Sequence, residues 1–395
     1  MRHLGFAGDK KRSMSIVGLF LFLLACVSVV ATHANGSVLR STGSEGKVWL
    51  DAPTSRRVPF RNPRVIFVVV QTRPSPGWCR MLMTAVVTNV SVISIGMGGN
   101  YSHTIRANWL LNFLDDEVLH DDDVLVMFDG ADTLFTDGIH RKRKLDHFIK
   151  MSPPLPTFFN QTAIYRGDAW PPMLHTAEPD CYAPQLNITY NPKNESHWDR
   201  CARFYAMGLS EAKSIGVERL LGLPPPVRGH LNSGGIVGRV WAYKEAFSVF
   251  LQLREASTEW WCDQSIWAAL FIWSVGSATG VDPKYIIRRG IISLDYDKRY
   301  FYYPTDEYDT SSVLLHFTGA PDRWTHYFPE YFVRLPWYRN LMGNSTYRHN
   351  VVAALRNTSI ITYNYTRERI VRKYEDICDV EQMTDPEFLV YPLNK

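Results

Sequence analysis

Asp129-Gly-Ala-Asp132 sets two carboxylates three positions apart, directly behind the apolar run 124–128. A carboxylate pair on a tight turn can hold a hard divalent cation while leaving coordination sites for phosphate oxygens and water. Mn²⁺ or Mg²⁺ held there would offset the charge developing on a departing diphosphate. The spacing alone is common in a chain with 39 acidic residues, where a solvated turn or a helix cap is the ordinary alternative. The buried-type strand in front of it shifts the balance toward a site. His316 closes another apolar run, 313–317. Taken alone it reads as a core histidine; beside two distant carboxylates it completes an O/N ligand set suited to Mn²⁺.

Asn232-Ser233-Gly234-Gly235 brings an amide, a hydroxyl and two glycines together. Glycine lets the backbone approach a ligand closely, and small polar side chains can read sugar hydroxyls, although a tight turn or a bulge uses the same residues. Asp263-Gln264 either contacts a donor or acceptor sugar or caps the helix that follows. Trp260, Trp261 and Trp324 can stack on a sugar face or simply pack.

The elements that must position these groups follow from hydrophobic period. Residues 65–70 (Val-Ile-Phe-Val-Val-Val) form a continuous β-branched run, the pattern of a strand buried on both faces of a parallel sheet. Strands are also expected over 90–95, 124–128 and 313–317, with a helical stripe over 105–119. Strand, helix and strand in that order predict an α/β domain with a Rossmann-type, mostly parallel sheet, because parallel neighbours need a crossover helix. Ligands in such sheets sit beyond the carboxyl ends of the strands, where Asp129 falls. Residues 163–165 read as a short strand and 171–200 as a long excursion. Helices are expected over 240–254 and 263–273. Beyond Pro336 the chain turns polar with no clear strand pattern. The expected organisation is a signal segment over 1–34, a stem over 35–62, the α/β domain over 63–335 and a C-terminal extension over 336–395.

Forty-three basic against 39 acidic residues give a net charge of +4, with no clustered excess that would suit nucleic acid. Hydrophobic residues at 46% exclude wholesale disorder. Residues 14–31 are uncharged and nearly all apolar behind Lys10-Lys11-Arg12, which makes them a type II signal anchor in the membrane or a cleaved signal peptide. Nine Asn-x-Ser/Thr sequons (Asn35, Asn89, Asn100, Asn160, Asn187, Asn194, Asn344, Asn357 and Asn364) agree with export into the secretory pathway, either to the Golgi or ER lumen or to the cell surface and beyond. Asn89, beside an apolar run, is a candidate for a buried, unused one. Outside the leader, Cys79, Cys181, Cys201, Cys262 and Cys378 are odd in number; Cys181–Cys201 is the expected loop-closing pair.

Phe128-Asp129-Gly-Ala-Asp132, Leu231-Asn-Ser-Gly-Gly-Ile-Val-Gly238, Cys262-Asp263-Gln264, Ser293-Leu-Asp295 and Leu315-His316-Phe-Thr-Gly-Ala-Pro321 occur in this order. Over about residues 65–332 the chain resembles the glycosyltransferase domain of the procollagen lysyl hydroxylases and the related collagen glucosyltransferase module. As a whole it resembles the surface-exported, expression-site-associated trypanosome proteins that carry this domain. The resemblance implies a GT-A fold, a UDP-sugar donor and Mn²⁺ bound by Asp129, Asp132 and His316. It also implies Thr72 and Trp109 near the nucleotide, Arg106 in place of a lysine, and Asn232 and Asp263 lining the sugar pocket as the catalytic positions. Ser233, Gly234, Gly235 and Gly319 fall among the donor-binding positions. The family's run of aspartates before Asp-Gln is replaced by Thr258-Glu-Trp-Trp-Cys262, which argues against a collagen hydroxylysine acceptor.

The expected function is a Mn²⁺-dependent transferase that moves glucose or galactose from a UDP-sugar to a glycan, glycoprotein or glycolipid, with Asp263 the first candidate for general base. The alternative is a glycosylated surface or secreted binding protein that keeps the fold without turnover.

Overall fold

The computed structural model describes residues 61–390 except 117–118, 138, 187–194, 222–228, 277, 279 and 320. The leader, nearly all of the stem, and the sequons at Asn35, Asn187 and Asn194 lie outside the described residues. Among the described residues no helix is long and apolar enough to cross a membrane.

Eleven strands are described: β1 (Val65–Val70), β2 (Val92–Met97), β3 (Val124–Asp129), β4 (Thr133–Phe135), β5 (Met173–Glu178), β6 (His230–Arg239), β7 (Ile292–Leu294), β8 (Phe301–Tyr302), β9 (Leu314–His316), β10 (Ser359–Asn364) and β11 (Arg369–Lys373). Eight of them make one sheet in the order β11-β10-β2-β1-β3-β6-β5-β7, and β4-β9-β8 make a second. In the large sheet β10–β2, β2–β1, β1–β3 and β5–β7 are parallel, while β11–β10, β3–β6 and β6–β5 are antiparallel. The chain moves from β1 to β2 on one side and then returns to place β3 on the other. That creates a switch point beyond the carboxyl ends of β1 and β3, the place where an open α/β sheet leaves a crevice.

The helices include α1 (Pro76–Val87), α2 (Arg106–Asp116), α3 (Ile139–Met151), α4 (Gln161–Arg166), α5 (His197–Ser214), α6 (Val240–Glu255), α7 (Asp263–Val275), α8 (Pro321–Phe332), α9 (Pro336–Gly343) and α10 (Ser345–Asn357). Alternation along the central strands decides which core each residue enters. Val68 of β1 and Leu125 and Met127 of β3 pack with α2, α6 and α7, whereas Phe67, Val69, Val126 and Phe128 point to the opposite core with α1 and α9. With both faces covered, an unbroken β-branched run is what these strands require. α1 begins where Ser75 accepts the Trp78 N–H at 3.3 Å and Pro76 supplies a pre-set first turn.

Three expectations change. Residues 163–165 are not a strand but the middle of α4, capped by Asn160, which accepts the Ala163 N–H at 3.1 Å, and closed by Gly167 at φ 79°. A three-residue apolar run carries no period, and the cap and the glycine decide it. The stretch read as an excursion contains β5, every residue of which is buried. The chain beyond Pro336 is no appendage: Arg61 to Lys395 form one compact unit, and β10 joins the large sheet beside β2. Its partner β11 is a short edge strand carrying Arg369, Arg372 and Lys373, a pattern that protects an edge and hides the strand from a hydrophobicity reading.

The expected Cys181–Cys201 bond is present, Cys262 is a buried free thiol, and an unanticipated bond joins Cys79 of α1 to Cys378. Cys79–Cys378 spans 299 residues, so it removes much unfolded-chain freedom. Cys378→Ser is expected to cost about 2–5 kcal/mol, read as a lower guanidinium midpoint. An unchanged midpoint would mean that packing alone holds the C-terminal elements. Asn89, Asn100, Asn160, Asn344 and Asn357 are all exposed, which corrects the expectation of a buried Asn89.

Candidate functional site

Asp129 is the last residue of β3, and its turn rests on the start of α1, where a Cβ on Gly77 would collide with the Ala131 carbonyl. The chain then enters β4, which pairs antiparallel with β9 so that Thr133 faces His316. Phe317 N–H donates to the Asp132 carbonyl at 2.8 Å and locks that register. Two segments far apart in sequence thus meet, and one ligand atom from each of Asp129, Asp132 and His316 lies within 4.8 Å of the others. His316 Nε2 is 3.7 Å from Asp129 Oδ2 and 3.6 Å from Asp132 Oδ1. These separations exceed a direct hydrogen bond but suit ligands that each lie about 2.0–2.1 Å from a shared small cation. His316 is 1% exposed and neither ring nitrogen has a hydrogen-bond partner, so its donor set fits a metal.

Electrostatics point the same way. The Arg106 guanidinium, at the first position of α2, pairs with both Asp129 and Asp263 and donates from Nη2 to Ser233 Oγ at 3.1 Å. Desolvation would push the Asp129 carboxyl up, but Arg106, followed by His316, holds it well below the usual range. Burial alone would lower His316, yet Asp129 and Asp132 outweigh it and raise it. Three carboxylates against one guanidinium leave the excess negative charge that a divalent cation balances.

The opposite wall comes from an irregularity in β6. His175 of β5 pairs with Ile236, but the next residue, Thr176, pairs with Asn232, so residues 233–235 bulge out of register. Bulges re-aim side chains. Here Ser233 turns to Arg106 and Asp263, and a Cβ on Gly234 would lie 2.7 Å from Asp129 Oδ2 and collide with the His316 ring. Gly234 keeps the space beside Asp129 and His316 clear. Asn232 Oδ1 accepts the Gly234 N–H at 2.8 Å and its Nδ2 donates to Glu178 Oε2 at 2.9 Å. Gln264 Nε2 donates to Glu178 Oε1 at 2.7 Å. These groups and the triad line one cleft of about 670 Å³, a size suited to a small ligand.

Arg106, Asp129, Asp132, Asn232, Ser233, Gly234, Asp263, His316 and Gly319 (φ +90°) all line this cleft. Gly235 does not: the two-residue period turns it to the other face, against Thr176 and Phe301. Thr72 and Trp109 also fall outside the lining. The Thr72 carbonyl accepts the Gly98 N–H at 2.7 Å, and the Trp109 indole lies over Gly96 and Gly99. Arg106 faces carboxylates rather than an open phosphate position, and Asp263, the candidate base, is held by Arg106 and Ser233. Glu178 was missed. Its signal was the one Asp129 gives, a carboxylate ending an inward strand, but His175 and Thr176 disguise β5. No protein-family model and no curated protein matches the chain.

Burial pushes the Glu178 carboxyl up to about 8, against the opposing pull of Asn232 and Gln264. A raised carboxyl is protonated in the folded chain where the unfolded chain has released its proton. Its contribution is therefore complete below about pH 4.3 and is lost as pH rises through about 8. Glu178→Gln is expected to gain on the wild type by on the order of a few kcal/mol between pH 5 and 8. Urea midpoints of the two proteins at both pH values check this, and parallel pH profiles would contradict it.

Proposed function

We propose that this chain is a Mn²⁺-dependent hexosyltransferase of the GT-A type, moving glucose or galactose from a UDP-sugar to an acceptor hydroxyl. The single observation that carries this reading is the convergence of Asp129, Asp132 and an orphaned His316 at the sheet's switch point, facing the polar wall built from Asn232, Glu178, Asp263 and Gln264. Asp129, Asp132 and His316 would hold the ion, and a bound divalent cation supplies Lewis-acid stabilisation to a diphosphate leaving group.

The chain's own residues do the rest. Arg106 fixes the Asp129 and Asp263 carboxylates in one orientation, so neither has to reorganise when a ligand enters. The amides of Asn232 and Gln264 hold Glu178 at the floor of the sugar side, and its carboxyl can take up or give a proton at Oε near neutral pH. Asp263 acts in this scheme as the fixed partner of Arg106 and Ser233. Two disulfides and five exposed sequons support a place in the secretory pathway, as a lumenal or surface protein.

The test is Mn²⁺-dependent release of UDP from a panel of UDP-sugars by the purified full-length protein. Slow hydrolysis of one donor is expected, and it names the sugar. Binding of UDP and Mn²⁺ with no turnover of any donor would instead make this a binding protein on a transferase scaffold.

A further inference from the structure

We propose that the acceptor is a carbohydrate chain, gripped through the faces of its sugar rings by a platform of Tyr182, Trp198 and Trp261 at the mouth of the cleft. The proposal rests on the transferase reading above and names its second substrate. These three side chains are 36%, 46% and 51% exposed, and all three line the cleft that holds the metal triad. Single exposed apolar residues are ordinary, but several large rings gathered at one concave site mark a ligand surface.

The platform is held in place before any ligand arrives. The Cys181–Cys201 disulfide ties the loop bearing Tyr182 to the helix bearing Trp198. The two rings stand 5.5 Å apart by centroid, and His197 lies 4.6 Å from Trp198. Trp198 sits in the first turn of α5, where Ser196 Oγ accepts the Asp199 N–H at 3.1 Å. Gln185 links this loop to the segment before α7. Its Oε1 accepts the Trp261 and Cys262 N–H groups at 2.8 and 2.6 Å, and its own N–H donates to Ser265 Oγ at 3.1 Å. Trp260 packs against the core while Trp261 faces outward. Fixed aromatic rings offer a large contact area with little rotamer freedom left to lose on binding.

The surrounding chemistry selects the class of ligand. Among the described residues Arg106 is the sole Lys or Arg lining the cleft, and its donors are already taken by Asp129, Asp263 and Ser233. Among these residues an acceptor bearing phosphate, sulfate or carboxylate finds no unengaged Lys or Arg. The same cleft is lined by hydrogen-bonding groups, among them the Tyr303 hydroxyl, which donates to Asp180 at 3.0 Å, and Thr318. Flat aromatic faces in one cleft with hydroxyl and carboxylate groups match a pyranose, which carries an apolar C–H face and a rim of hydroxyls.

The experiment is binding of the full-length protein, saturated with UDP and Mn²⁺, to a printed array of neutral oligomannose, complex and glycolipid-type glycans, followed by calorimetric titration with the best binder. Wild type is expected to bind, and Trp198→Ala and Trp261→Ala each to weaken binding at least tenfold. Phe158→Ala, at an exposed ring outside the cleft, is expected to leave it unchanged. Circular dichroism of the variants separates lost binding from lost folding. Glycan binding that survives the double Trp198/Trp261 variant overturns the proposal. So does UDP and Mn²⁺ binding with no response to any glycan, an outcome that leaves the transferase reading standing and moves the acceptor to a sugar-free polypeptide. If neither UDP nor Mn²⁺ binds, the transferase reading fails and the acceptor proposal fails with it.

Discussion

Mn²⁺ is expected to raise the melting temperature of the intact protein under the proposal above, and Asp132→Asn and His316→Ala are each expected to abolish that rise. A ligand that binds only the folded state stabilises it by about 2.7 kcal/mol at a hundredfold excess over its dissociation constant. Weakening the site at least a hundredfold removes nearly all of that at the same Mn²⁺ concentration. Asp132 and His316 each contribute one of three protein ligand atoms, and even changes to groups that merely orient ligands cost 10–100-fold in metal affinity. The metal-free proteins should behave differently from one another. Asp132→Asn relieves repulsion between neighbouring carboxylates, so its metal-free stability is expected to match or exceed wild type. His316→Ala removes the imidazole that lies 3.7 and 3.6 Å from the two aspartates and leaves a gap in a buried position. Differential scanning fluorimetry with and without Mn²⁺ reads both effects at once. A Mn²⁺-induced rise of wild-type size in either variant would place the ion elsewhere.

Arg106→Met is expected to destabilise the metal-free protein by about 3–5 kcal/mol, the usual range when one partner of a buried ion pair is removed and its charged neighbours stay behind. Asp129 and Asp263 reach the same guanidinium from different elements, one at the end of β3 and the other at the start of α7. Without it they face each other across a cleft wall. Arg106→Lys should restore little, because a single ammonium cannot reproduce donors from Nε, Nη1 and Nη2 aimed at Asp263, Asp129 and Ser233. The pH dependence gives a second readout. Asp129 is held below its ordinary range in the wild type, so this stabilisation is complete above about pH 4 and disappears as pH falls through the lowered value. The gap between wild type and Arg106→Met in urea should therefore be widest near neutrality and close in acid. A gap of constant size across that range would mean lost packing rather than lost charge pairing.

Much of the site was legible in the amino-acid order because its signals are local. An unbroken β-branched run can persist only in a strand covered on both faces, so β1 and β3 declared a parallel sheet, and a carboxylate ending such a strand had to emerge where that sheet opens. Asp129, Asp132, His316, Asn232 and Asp263 could all be named from that rule and from the resemblance they carry. The glycines after Asn232 signalled a close approach without saying to what.

What the order of residues left open depends on contacts between segments far apart. Whether Gly234 or Gly235 faces the cleft is decided by the register of β6 against β5, and a bulge there sends one toward His316 and the other toward Phe301. Arg106 stood among the donor-binding positions as a replacement for a lysine, but two carboxylates from other elements claim it. The strand β10 is recognisable only beside β2, because just two of its six residues are buried. Glu178 becomes a proton-holding group only when Asn232 and Gln264 close over it and exclude water. Sequence by itself determined the α/β class and the residue types able to bind a metal, since strand period and donor chemistry are properties of short segments. Tertiary structure alone decided which side chains share the cleft and in which charge state, because distance and desolvation arise only when those segments pack.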